Sequence, residues 1–158
     1  MNSPERQLAG FIAKFSPEVA RVAKGARSKI RKLLPPAFEL VYDNYNALAL
    51  AYGPSERTSE VVLSLALYPR WVSLFFARGA ALPDPGGLLR GSGNRMRHVV
   101  LQRAQDLDGR ALRALIETAV AIHPKPFGPA RGRTVIKSVS AVQRPRRASK
   151  ARGRPTTR

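Results

Sequence analysis

The sequence predicts an α+β fold, a two-layer sandwich with two N-terminal helices, about five mainly antiparallel strands and a C-terminal helix. Three observations predict it. Apolar residues recur at helical spacing up to Leu34; the period falls to two between Phe38 and Leu101; and helical spacing returns between Gly109 and His123. Helices flanking a run of strands joined by short turns bury their apolar stripes against one face of a curved sheet.

The first helix starts at Ser3-Pro4, where the Ser oxygen caps free N–H groups and Pro fits the first turn. Leu8, Phe11, Ile12 and Phe15 then share one face. Ser16-Pro17-Glu18 repeats the start signal for a second helix. Its stripe is Val19, Val22, Ala23, Ala26, Ile30, Leu33 and Leu34, with Arg21, Lys24, Arg27, Arg31 and Lys32 mostly opposite. Pro35-Pro36 ends it, since proline lacks the N–H that the helix ladder needs. Strands are predicted at Phe38 to Tyr42, Ala47 to Tyr52, Val61 to Tyr68, Val72 to Ala77 and Arg97 to Leu101. Asp43-Asn44, Gly53-Pro54-Ser55, Tyr68-Pro69-Arg70 and Pro83-Asp84-Pro85-Gly86-Gly87 supply the turns. A last helix opens near Asp108-Gly109 with Asp106 or Asp108 as cap, and puts Leu112, Leu115, Ile116 and Ala119 on one side.

The domain is therefore expected to span residues 1–123, with a disordered basic tail over 124–158. Pro124, Pro126, Pro129, Pro145 and Pro155, with scattered Gly and Ser, leave too little apolar surface to offset the entropy of ordering. Thr134-Val135-Ile136 is the one candidate exception. This segment holds eleven Lys or Arg and no Asp or Glu, so it carries +11 of the formal net charge of +18. Such a surplus favours polyanionic partners. There is no Cys, which excludes disulfides, thiol nucleophiles and thiolate metal sites. Met1 to Gln7 runs into the first helix without a signal-peptide pattern, and the apolar stretches are too short to span a bilayer, so a cytoplasmic location is expected and no membrane partner is.

No catalytic constellation is visible. His98 and His123 are far apart, and the carboxylates are dispersed into turns, caps and first helical turns. No metal ligands or cofactor are expected, and the chain reads more as a binding module than an enzyme. The candidate ligand-binding groups are Tyr42, Asn44 and Tyr45 in one turn, Arg70 and Trp71 at another, and Ser92, Arg95 and Arg97 in a Gly-x-Gly segment whose exposed N–H groups suit an anion. Convergence of these groups would make a small polar pocket for an anionic ligand, as an alternative to the nucleic-acid reading below.

The run Leu67-Tyr68-Pro69-Arg70-Trp71-Val72-Ser73-Leu74-Phe75-Phe76, followed by Gly79-Ala80-Ala81-Leu82-Pro83-Asp84-Pro85, Leu88-Leu89-Arg90-Gly91-Ser92-Gly93 and Arg97-His98-Val99-Val100-Leu101, resembles the YdhG-like family of small bacterial domains of unknown function. The resemblance covers nearly all of residues 1–123. It implies the fold already described and transfers no catalytic residues. Some members are described as frataxin-like iron chaperones, but iron needs anionic oxygen ligands. Here the first two helices offer Glu5 and Glu18 against Arg6, Lys14, Arg21, Lys24, Arg27, Lys29, Arg31 and Lys32.

Lys150-Ala151-Arg152-Gly153-Arg154-Pro155 resembles an AT-hook, in which Gly permits close approach and two arginines enter a narrow minor groove; Ala151 stands where the usual Pro would be. Arg131-Gly132-Arg133 is a second, partial copy. The expected function is a non-enzymatic binding module that associates with nucleic acid through Arg144, Arg146, Arg147, Lys150, Arg152, Gly153 and Arg154.

Overall fold

The structure, a computed structural model, describes residues 3–148. It is an α+β fold of three helices and a six-stranded mixed sheet. In chain order these are α1 (Pro4–Ala13), α2 (Pro17–Leu33), β1 (Phe38–Asp43), β2 (Leu48–Gly53), β3 (Leu63–Leu67), β4 (Val72–Phe76), β5 (Arg97–Leu101), α3 (Arg110–Ile122) and β6 (Thr134–Val139). The sheet order is β5-β4-β3-β2-β1-β6. β1 to β5 form an antiparallel meander, and β6 lies parallel to β1.

Both predicted serine caps form. Ser3 Oγ accepts from Arg6 N–H and Ser16 Oγ from Val19 N–H, each at 3.2 Å. Each such cap is worth about 1 kcal/mol. The third helix differs from expectation only in its cap. Asp106 caps the short 3-10 turn Ala104–Asp108 by accepting from Gln102 and Arg103 N–H, and Asp108 pairs with Lys29 and Arg113. α3 opens where expected, at Arg110, but with Gly109 rather than an Asp at its N-cap and no side-chain cap.

Strand alternation sends Leu48, Leu50, Tyr52, Leu63, Leu65, Leu67, Val72, Leu74 and Phe76 to one face, where they share a single core with Leu8, Ile12, Phe15, Ala23, Ala26, Ile30, Leu112, Leu115 and Ile116. Each such large side chain contributes about 2 kcal/mol on burial. The same register places Glu39 (opposite Tyr52) and Asp43 (opposite Leu48) on this inner face, both buried.

The expectation of five strands and of disorder from residue 124 is corrected here. Thr134–Val139 pairs with β1 from Glu39↔Thr134 to Asp43↔Val139, with a bulge at Lys137. Two interactions hold the segment where composition predicts none. Thr134 Oγ1 donates to Glu39 at 2.8 Å, and Arg146 Nη2 donates to Asp43 at 2.8 Å while its guanidinium lies over the Phe15 ring. These contacts give both buried carboxylates a partner from the C-terminal segment, and without Arg146 the Asp43 charge would stand unopposed in the core. Gly132, expected as part of a partial AT-hook, has a packing reason instead: a Cβ there would sit 2.0 Å from the Ala37 carbonyl oxygen.

No helix among the described residues is long and apolar enough to cross a membrane.

Candidate functional site

α2 carries Lys24, Arg27, Ser28, Arg31 and Lys32, spaced so that successive turns point toward α1. Together with Glu5, Ala9 and Ile12 of α1, Pro35, and Arg131 from the C-terminal segment, they line a groove of about 650 Å³. The groove's inner wall is an ion-pair network. Arg27 forks onto Glu39 through Nε and Nη2, both at 2.8 Å, and Nη2 also donates to Glu5 at 2.8 Å. Arg31 adds a contact to Glu5 at 3.3 Å, and the one hydroxyl proton of Thr134 is shared between Glu39 at 2.8 Å and Glu5 at 3.0 Å. Tyr52 closes the network from the core side, its hydroxyl donating to Glu39 at 2.6 Å.

The charges in this network fix its protonation. Burial works to raise the Glu5 carboxyl, but hydrogen bonds from Arg27 and Thr134 and the nearby guanidinium charges hold it below the ordinary carboxylate range. Burial likewise works against the Arg27 cation, and Glu39 and Glu5 more than reverse that, pushing it well above its usual value. Tyr52 is pushed well above the ordinary phenol value by burial first and by the Glu39 charge second. Glu5 and Arg27 are thus both ionised at neutral pH, with Tyr52 as a neutral donor. Both Glu39 oxygens and both Glu5 oxygens are engaged, so neither is a free general base.

The outer part of the groove is different. Lys24, Lys32 and Arg131 form no ion pair among the described residues, yet they stand around one concavity. No protein-family model, curated protein or solved structure matches this chain. The chemistry of the groove is therefore read from its own side chains: a fixed wall of matched charges behind a mouth of unmatched cations, an arrangement that attracts an anion. Among the described residues no group of three or more His, Asp or Glu side chains is placed to hold a metal ion.

The predicted ligand groups do not converge. Asn44 and Tyr45 line a trough on the sheet face away from the core, whereas the Tyr42 hydroxyl bonds Thr58. Arg70 and Trp71 line a shallow cleft beside Glu18 and Val22. Arg95 lines a third depression with Arg78 and Ile122. Arg97 folds back onto the Met96 carbonyl at 2.7 Å and the Gly93 carbonyl, Gly91 takes the turn at φ 114°, and Ser92 is exposed.

The predicted nucleic-acid residues also divide. Arg146 is 6% exposed and paired with Asp43, so it is a structural group with no free face for a phosphate. Arg147 donates to the Lys14 and Ala13 carbonyls at the C-terminal end of α1, where a cation suits the helix dipole. Arg144 is exposed, with one 3.4 Å contact to Asn46. Lys150, Arg152, Gly153 and Arg154 lie outside the described residues. Lys24 and Lys32 are visible in the sequence as part of a basic helix face, but such a face on a surface helix usually meets only water and so does not mark site residues, and Arg131 reads only as part of a partial AT-hook. The 24, 27/28, 31 spacing was the signal, and Arg131 could be joined to it only through the fold.

Proposed function

We propose that this chain is a non-enzymatic binding module for nucleic acid, a YdhG-like two-layer domain acting in the cytoplasm, which grips phosphates through the α1–α2 groove and its basic C-terminal residues. One observation carries the reading. Lys24, Lys32 and Arg131 stand unmatched around one groove in a protein that uses seven of its ten carboxylates in internal ion pairs, leaving few acids to neutralise its surface. Sequence-independent affinity for a phosphate backbone follows from such a charge distribution. The AT-hook-like Arg152 and Arg154 add a minor-groove contact in this reading.

The test is duplex binding by the full chain across salt. Contact with about six phosphates gives a slope of log affinity against log salt near −5, and replacing Lys24, Lys32 and Arg131 together by Gln halves it to about −2.7. An unchanged slope in the triple variant would remove the groove from the interface. The groove's size also favours a small anion as a second reading, in which inorganic phosphate raises the Tm of the wild type but not of the triple variant.

A further inference from the structure

The alternation that sends leucines inward sends Ala49, Ser64, Ala66 and Phe75 to the opposite face of the sheet, where Ala49 pairs with Ala66 and Ser64 with Phe75. Three small side chains side by side leave a trough of about 550 Å³ instead of a filled surface. Its ends are aromatic or apolar. Tyr45 stands 50% exposed over one end, beside Tyr68, which is stacked on Trp71 at 4.7 Å between centroids and 20° between planes. Met96, also 50% exposed, and Phe75, tilted against His98 at 5.1 Å, occupy the other. Trp71 keeps 44% of its surface exposed.

Cations predominate around this trough, with Glu18 beside Arg70 and Trp71 in the neighbouring cleft. No carboxylate lines it. Arg70 sits in the turn between Tyr68 and Trp71, Arg144 reaches Asn46 at the trough wall, and Arg97 lies against the Met96 carbonyl. A second copy of the chain would bring the same cations against these, which disfavours self-association through this face. A partner with planar, apolar groups on one side and anionic groups on the other complements it. Unpaired nucleobases on a phosphate backbone have that chemistry, and they stack on aromatic faces without regard to sequence.

We infer that this outer sheet face is a stacking platform for single-stranded nucleic acid, with Tyr45 and the Tyr68–Trp71 pair receiving bases and Arg70 and Arg144 meeting the backbone. The inference rests on the nucleic-acid reading above but assigns it a second surface and a strand preference. The turn bearing Tyr45 is preset for this role: its carbonyl accepts from Arg144 N–H at 2.9 Å and from Arg146, while Arg146 also holds the Asn44 carbonyl at 2.6 Å. A duplex, whose bases are already stacked, cannot use the platform.

Trp71 is the only tryptophan, so its emission reports this edge of the sheet, where it stacks on Tyr68 and lines the cleft beside Glu18 and Val22. The experiment titrates the full chain at low salt with an oligothymidylate of about 12 nucleotides and with a duplex of equal length, following Trp71 fluorescence and the anisotropy of a labelled strand. The expected result is quenching by the single strand only, with Tyr45→Ala weakening the single strand about tenfold and leaving duplex affinity unchanged. Single-strand binding without quenching, and with no effect of Tyr45→Ala, would overturn the platform while leaving the groove reading intact. Failure to bind either nucleic acid would overturn both. Self-association abolished by Tyr45→Ala would also overturn it, by giving the face to a second copy.

Discussion

The two faces of one sheet treat arginine in opposite ways. On the inner face Glu39 and Asp43 are buried, and each draws in one arginine from outside the sheet, Arg27 from α2 and Arg146 from the C-terminal segment. On the outer face the trough has no acid, and Arg144 remains at the surface. Arg144 and Arg146 are two residues apart in the same basic run, yet one is available to a partner and the other holds the fold together. Local composition therefore does not set an arginine's role; the strand face that meets it does. A carboxylate on an inward position specifies a buried cation, and the desolvation that this costs is offset only when the geometry is complete.

The strongest way to break the comparison is to remove the segment that serves both faces. A chain ending at His123 loses β6, Thr134 and Arg146, which strips the β1 edge and leaves Asp43 buried without a counterion. We expect it to show no cooperative thermal transition, whereas a chain ending at Ala148 keeps its Tm within about 2 °C. A cooperatively melting His123 chain would show that residues 124–148 are an appendage. Next in size is Arg146→Met, which strands Asp43, a residue whose Oδ2 already has no hydrogen-bond partner. Breaking a buried pair from one side costs about 3–5 kcal/mol, while replacing both partners by apolar groups restores much of it. Denaturant unfolding of Arg146→Met and of the Asp43→Leu, Arg146→Met double variant measures this directly. A double variant no better than the single would mean that the pair stabilises by more than mutual neutralisation.

Most of the meander was legible because its signals are local. Both serine caps, the Pro35-Pro36 stop and the period-two alternation act within a few residues, and the antiparallel pairing of β1 with β2 and of β3 with β4 follows from short turns. β6 was not legible for a physical reason. Thr134-Val135-Ile136 does carry a strand signal, but its stability comes from Glu39 and Asp43, nearly a hundred residues earlier, and no window over the basic segment contains them. The candidate site behaves likewise. The sequence makes Tyr45, Arg70 and Trp71 parts of one pocket if their turns converge; the fold instead puts Tyr45 and Tyr68 on one trough, Arg70 and Trp71 on a cleft beside it joined only by the Tyr68–Trp71 stack, and Ser92 and Arg95 elsewhere. Lys24 and Lys32 needed Arg131 from the far end of the chain to become a groove.

The smallest expected effect sharpens the inner face alone. Tyr52→Phe removes the hydroxyl that donates to Glu39, but Glu39 keeps both contacts from Arg27, so the loss is about 1.5 kcal/mol, near the low end for a bond to a charged acceptor. Its pH dependence is more telling than its size. Because burial and the Glu39 charge raise the Tyr52 phenol in the folded state, the native protein retains that proton where the unfolded chain has lost it. The contribution is complete below the unfolded value near about 10 and declines as pH rises toward the folded value. Wild type should therefore lose stability on the alkaline side faster than Tyr52→Phe, the two curves converging as pH rises. Parallel curves would instead mean that Tyr52 does not read the charge of the network it closes.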